Sequence, residues 1–262
     1  MLKRFFDLEA AGTTPAREVI AGLTTFMTMS YIIFVQPAVL SSCGMDFGAV
    51  MVATCLSSAL ATFLMGLYAN YPIALAPAMG HNFYFAFNVC GAVAMGGLGY
   101  RWESALAAVF LAGAIFILLA KWGMRELILT IIPDSLKHAI AVGIGLLIAL
   151  VGLEWTGIVV GKPGTLVGLG DLGSPVALVS LTGLLVTAGL LVLRVRGAII
   201  VGILASLVAS LLAGIAQYGG ILSAPPSLAP TLLKLDLGSL FRSTHALPVI
   251  FIFFFLALFD TV

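Results

Sequence analysis

Eight stretches of this chain are apolar over close to the length of a membrane-crossing helix, and that feature leaves few folds open. They fall at about 19–40, 48–69, 73–90, 103–121, 136–158, 175–193, 197–216 and from 247 to the end. A helix crosses a hydrocarbon core about 30 Å thick with about 20 residues, so eight runs in 262 residues leave no room for a soluble domain. Only 9% of the residues are charged, against about 25% in an ordinary soluble domain. The expected fold class is an all-α polytopic membrane protein. At the N-terminus, Asp7 and Glu9 follow Lys3 and Arg4 at once, and the first long apolar run begins only near Val19. That is not the pattern of a cleaved signal peptide.

The placement of charge carries more than its sum. The net charge of +1 gives no reason to expect a nucleic-acid partner. With a cytoplasmic N-terminus (residues 1–18), the inner segments hold Lys3, Arg4, Arg17, Lys121, Arg125, Lys137, Arg194 and Arg196. The outer ones hold Arg101, Lys162, Lys234 and Arg242. Basic residues concentrate in cytoplasmic loops, so this orientation in the cell membrane is the expected one. Cys43, Cys55 and Cys90 are odd in number and far apart in sequence. They match neither a disulfide framework nor zinc-ligand spacing and read as small apolar filler. Glycine and serine recur every four residues at Gly202, Ser206, Ser210 and Gly214, as do Ala141, Gly145 and Ala149. Such stripes let helices approach closely in lipid.

Two runs depart from the rest. The third reads Tyr71-Pro72-Ile73-Ala74-Leu75-Ala76-Pro77-Ala78-Met79-Gly80-His81-Asn82-Phe83-Tyr84-Phe85-Ala86-Phe87. Two prolines, a glycine and two polar side chains predict an extended stretch up to about Gly80 and a short helix beyond it, its first amides facing a cavity. Irregular backbone at membrane depth is tolerated only where protein covers it or it lines a cavity, so the break points to a binding site. Asn82 can donate and accept hydrogen bonds at once, which suits the edge of a flat, neutral heterocycle; it equally suits an interhelical hydrogen bond. His81 reads as a proton relay or ligand, or as a structural histidine. Phe83, Tyr84, Phe85 and Phe87 could stack on a ring or face lipid, and Tyr84 adds a hydroxyl.

The last run ends Phe259-Asp260-Thr261-Val262, and Asp260 is the one acidic residue well inside an apolar run. A carboxylate near the bilayer centre costs at least about 2.5 kcal/mol, so it marks a substrate or ion pathway, and burial raises its pKa toward proton coupling. Thirteen residues into the run from the outer side, it lies at a depth of roughly 20 Å. With its first part extended, the third run carries Asn82 to a similar depth. The chain has no G-x-S-x-G or H-E-x-x-H motif, and His81, His138 and His245 are scattered, so an enzyme is not expected. No metal or cofactor is expected either. A transporter of inorganic anions is the rival reading, and it predicts a site without a carboxylate.

Four segments carry a family resemblance. They are Gly22-Leu23-Thr24-Thr25-Phe26-Met27-Thr28-Met29-Ser30-Tyr31 running to Gln36-Pro37, Ala76-Pro77-Ala78-Met79-Gly80-His81-Asn82, Ile132-Pro133-Asp134-Ser135-Leu136-Lys137, and Phe259-Asp260-Thr261-Val262. Together they resemble the nucleobase:cation symporter-2 permeases, in the AzgA-like branch that carries hypoxanthine, guanine and adenine. The resemblance implies two inverted repeats of seven spans, with short strands in spans three and ten. On it, residues 19–216 are the first repeat, 217–246 an outer loop and 247–262 a truncated eighth span, the chain being a fragment of a longer permease or a non-transporting remnant. It implies a purine-base substrate, H⁺ coupling with Na⁺ as the alternative, and a possible homodimer. It places Asp260 and Asn82 at the substrate, with His81, Tyr84 and Gly80 beside them. Thr28, Ser30, Phe83, Phe259 and Thr261 are the secondary candidates.

Overall fold

The structure is a computed structural model that describes Phe6, Leu8 and residues 12–123, 133–162, 164–195, 197–217, 220, 224–243 and 245–259. Most of the apolar runs fold as helices close to their expected bounds. α1 (Pro15–Met29) starts where the Thr14 hydroxyl accepts from the Arg17 N–H, with Pro15 in the first turn, a favoured helix start. The hydroxyls of Thr24, Thr25, Thr28 and Ser30 then donate back to the carbonyls of Ile20, Ala21, Thr25 and Met27. Back-bonding of this kind competes with the helix ladder and bends it. The helix stops at Ser30 and resumes as α2 (Ile32–Ser41), so the first run is two helices. α3 (Phe47–Leu67) follows, with the Asp46 carboxylate accepting from the Ala49 N–H at 2.7 Å.

The third run is broken as its prolines predict. Residues 70–78 form no helix, α4 covers only Met79–Phe83, and a wider π turn runs over Tyr84–Val89, closed by the Cys90 N–H on the Phe85 carbonyl at 2.9 Å. Beyond it come α5 (Trp102–Lys121), α6 (Asp134–Trp155), α7 (Pro175–Val192), α8 (Ala198–Leu212), α9 (Leu237–Arg242) and α10 (Ala246–Phe259). Among the described residues five helical stretches are long and apolar enough to cross a membrane: α1 with α2, α3, α5, α6 and α7. α8 and α10 are apolar but shorter.

The all-α expectation needs one correction. Between α6 and α7, β1 (Val159–Lys162) pairs antiparallel with β2 (Leu166–Leu169), Val159 opposite Leu169 and Lys162 opposite Leu166. Gly157, at φ 71°, ends the helical path, and the β-branched run Ile158-Val159-Val160 then favours a strand.

The chain divides into two compact units. The first comprises residues Met1–Ile32, Leu56–Ala76 and Ala149–Ala224. Within it α7 and α8 pack along each other around a tight turn. The contact is reciprocal: a Cβ on Gly183 would run into the Ser206 side chain, and one on Gly202 into Thr187. The two hydroxyls are satisfied on their own helices, Thr187 donating to the Gly183 carbonyl at 2.8 Å and Ser206 to the Gly202 carbonyl at 3.0 Å. Gly202 and Ser206 of the expected stripe therefore do pack, whereas Gly214 meets nothing within 4 Å.

The second unit comprises Ile33–Cys55, Pro77–Ile148 and Pro225–Val262, and it holds the main core. α10 buries Val249, Ile250, Phe253, Phe254 and Leu258 on one face. That helix packs on α5, where Ala105, Ala108 and Ala112 are buried at helical spacing. Small residues on one helix make room for rings on the other, which is how helices gain dispersion contact where lipid removes the hydrophobic drive. In the stripe Ala141, Gly145, Ala149, a Cβ on Gly145 would meet nothing within 4 Å among the described residues. α9 also packs on α5, with the Asp236 N–H on the Glu103 carbonyl at 3.2 Å, and the hydroxyls of Tyr100 and Ser243 are hydrogen-bonded.

The α7–α8 contact gives a test. Gly202→Ala should cost about 1–3 kcal/mol by overpacking and lower the thermal unfolding midpoint in detergent. Gly189→Ala on α7, where a Cβ would meet nothing within 4 Å, should leave the midpoint unchanged or raise it.

Candidate functional site

The break in the third run sets the geometry around Asn82. Pro77 has no N–H and Ala78 caps α4 with no side-chain hydrogen bond, so α4 begins abruptly at Met79 and presents Gly80, His81 and Asn82 in its single turn. Asn82 Nδ2 donates to Oε1 of Gln36 at 3.0 Å, and the same nitrogen lies 3.7 Å from the Met79 sulfur. Gln36 is 9% exposed. It sits on α2 one residue before Pro37, whose missing N–H leaves the Ile33 carbonyl without its α-helical donor. The two amides lie 46 residues apart in sequence and meet within the second unit.

This pairing fixes what Asn82 can offer. An asparagine amide has two N–H donors on nitrogen and two lone pairs on oxygen. With the nitrogen turned to Gln36 and Met79, Oδ1 is the end left to accept from a further group. Gln36 is a residue that sequence reasoning passed over, quoting it only as the end of a motif. The signal was present: an amide in an apolar run beside a proline carries the same argument as Asn82.

The aromatic residues divide differently from their sequence reading. Phe83 and Phe85 are each 4% exposed, so they are core rather than lipid-facing. Phe83 stacks on Phe87 with centroids 6.1 Å apart. Tyr84 is half-buried and meets Phe253 of α10 edge-on at 5.4 Å, with an interplanar angle of 80°, a favoured aromatic geometry. His81 is half-buried. Gly80 faces α6, where an added Cβ would make ordinary contact with Ile144 at 3.8 Å.

Gln36, Gly80, His81, Asn82, Phe83, Tyr84 and Phe253 thus belong to one unit. Phe259 ends α10, its ring 5.9 Å from that of Phe255. Asp260 and Thr261 lie outside the described residues. Thr28 and Ser30 belong to the first unit, and their hydroxyls are engaged with carbonyls of their own segment. Among the described residues no group of three or more His, Cys, Asp and Glu side chains could hold a metal ion.

A model described as a permease family matches residues 16–262. A candidate permease of Methanocaldococcus jannaschii is 48% identical over 262 residues, 99% of this chain and 58% of its own. The adenine permease AdeP of Escherichia coli K12 is 41% identical over 261 residues, 100% of this chain and 57% of its own. The guanine/hypoxanthine permease PbuG of Bacillus subtilis 168 is 42% identical over 272 residues, 99% and 60% respectively. The chain therefore spans less than two thirds of the length of these relatives.

The amide pair is testable by a double-mutant cycle on unfolding. Replacing Gln36 and Asn82 by Ala, singly and together, should give a coupling of about 0.6 kcal/mol, the mean for hydrogen bonds between membrane helices. Strict additivity would show that the two side chains do not act together.

Proposed function

The chain belongs to the permease family and is a multi-pass membrane protein, and from that membership we propose that it is a secondary transporter of purine nucleobases, working by alternating access with proton symport. The observation that carries the reading is the Asn82–Gln36 pair at the broken third span. It leaves a carbonyl oxygen to accept a hydrogen bond, and hypoxanthine, guanine and adenine all carry ring N–H groups that could donate it. The relatives named as adenine and guanine/hypoxanthine permeases support the same substrate class.

Asp260 is the proposed proton carrier and second contact to the base. Phe253, the α10 ring that meets Tyr84, precedes it by seven residues in the sequence. A carboxylate is also the feature that an inorganic-anion site would avoid. Tyr84 is proposed to flank the base, with His81 and Gly80 lining the turn. The cytoplasmic N-terminus, the seven-span repeat over residues 19–216 and a homodimer are part of the same proposal, the first supported by the eight basic residues on the inner side against four outside.

Uptake of labelled hypoxanthine and adenine by cells lacking their own purine permeases tests this. Uptake should rise as external pH falls, and Asp260→Asn should abolish or severely impair it; wild-type accumulation in that variant would remove Asp260 from the mechanism. Asn82→Leu should raise KM about tenfold or more, corresponding to about 1.4 kcal/mol or more of lost recognition. In detergent, a purine at a hundred times its Kd should stabilise the protein by about 2.7 kcal/mol, and sulfate or bicarbonate should not.

A further inference from the structure

Two primary amides can join by two hydrogen bonds, each donating an N–H to the other's carbonyl. Gln36 and Asn82 make one of the two: Asn82 Nδ2 donates to Gln36 Oε1 at 3.0 Å. The Met79 sulfur, a weak acceptor, lies 3.7 Å from the same nitrogen and favours that orientation of the Asn82 amide. The ends left over are Gln36 Nε2, with its N–H groups, and Asn82 Oδ1, with its lone pairs. Among the described residues neither has a hydrogen-bond partner. Neither is shut off from open space, as Ser58 Oγ and Ser104 Oγ are. Gln36 as a whole is 9% exposed, and a donor so placed is costly to leave unmade.

Resting on the purine-transport reading, we propose that Gln36 is a further contact to the base and a determinant of specificity. Its Nε2 donates to an acceptor on the base while Asn82 Oδ1 accepts from the neighbouring N–H, so that the base completes the ring the two amides leave open.

This narrows the substrate to a planar heterocycle with an N–H beside an acceptor on one edge. A lactam has that pattern at its N–H and C=O, as in hypoxanthine and guanine. Adenine has it at its amino group and the adjacent ring nitrogen. One pair of amides can therefore take both kinds of purine, the base turning over to exchange the order of donor and acceptor. A ring that lacks either group leaves one amide end unpaired, and a site built around hydrogen bonds rejects such an analogue.

Replacing Gln36 by Glu separates donating to the base from merely orienting Asn82. The ionised carboxylate still accepts from Asn82 Nδ2 but has no hydrogen to give, whereas the protonated acid has an acceptor and one O–H. Binding of labelled hypoxanthine to the purified protein in detergent is measured from about pH 8 to about pH 4.5. His81, one residue before Asn82, and Asp260 can titrate over the same range, so the ratio of variant to wild-type Kd is read at each pH. Gln36→Glu should bind about tenfold or more weakly at the upper end, and the gap should narrow as pH falls. Gln36→Met, which can donate at no pH, should stay about tenfold or more weaker throughout. Wild-type affinity of Gln36→Glu at the upper pH, a gap that does not narrow, or wild-type affinity of Gln36→Met would each overturn the proposal and leave the purine reading standing. Absence of saturable binding by the wild type would overturn both.

Discussion

A main-chain amide held away from water must find a partner inside the protein, and residues 70–78 are where this chain meets that demand without a helix. Pro72 and Pro77 remove two donors there. The backbone around Leu75 is paired by a side chain instead: Thr62 Oγ1 accepts from the Leu75 N–H at 3.0 Å and donates to its carbonyl at 3.4 Å. A single threonine thus makes an extended stretch tolerable. Because that stretch ends only at Ala78, the short α4 begins where Gly80, His81 and Asn82 occupy its one turn. The position of the polar residues follows from the cost of the break.

Much of this was legible because the signals are local. Pro72, Pro77 and Gly80 announced the broken run, and the bounds of α3, α5, α7 and α8 follow from apolar length and from caps such as Asp46 and Ser174. What was not legible depends on packing between distant segments. Nothing in the spacing of Gln36 and Asn82 says that they meet. Phe83 and Phe85 looked like lipid-facing bulk because an aromatic run in a membrane helix has no polar side to orient it; the π turn over Tyr84–Val89 decides which rings turn inward. At Gly145 of the other stripe, a Cβ would meet nothing within 4 Å among the described residues. Small residues permit close approach but do not compel it, and the reciprocal fit of Gly183 with Ser206 and Gly202 with Thr187 is a property of two helices together.

The core and the candidate site share a side chain. Phe253 is 1% exposed and belongs to the face of α10 that packs on α5, yet its ring also receives the edge of Tyr84. The alanines at 105, 108 and 112 allow that ring to seat deeply, so the position of Tyr84 is set by the same packing that holds the unit together. A site built this way is rigid by inheritance, since displacing Tyr84 disturbs contacts made by a buried ring.

The hydrogen bond at the centre of the candidate site joins two amide side chains that carry no charge, and the energetics of the membrane favour such a pair. A charged side chain at the bilayer centre costs about 2.5–3.5 kcal/mol on insertion scales, whereas Asn82 can donate to Gln36 and still turn its carbonyl oxygen toward a further group. On the proposed function, a neutral heterocycle needs no countercharge for binding, only an acceptor of defined direction, and the Gln36 contact would supply that direction by occupying the nitrogen end of Asn82. Recognition can then be separated from energisation. Neither amide titrates, so on the proposed function a titrating carboxylate is needed only to tie the occupied state to the ion. On the proposed division of labour, a proton carrier has to titrate, and of the side chains in the last apolar run only the Asp260 carboxylate can do so in the physiological range.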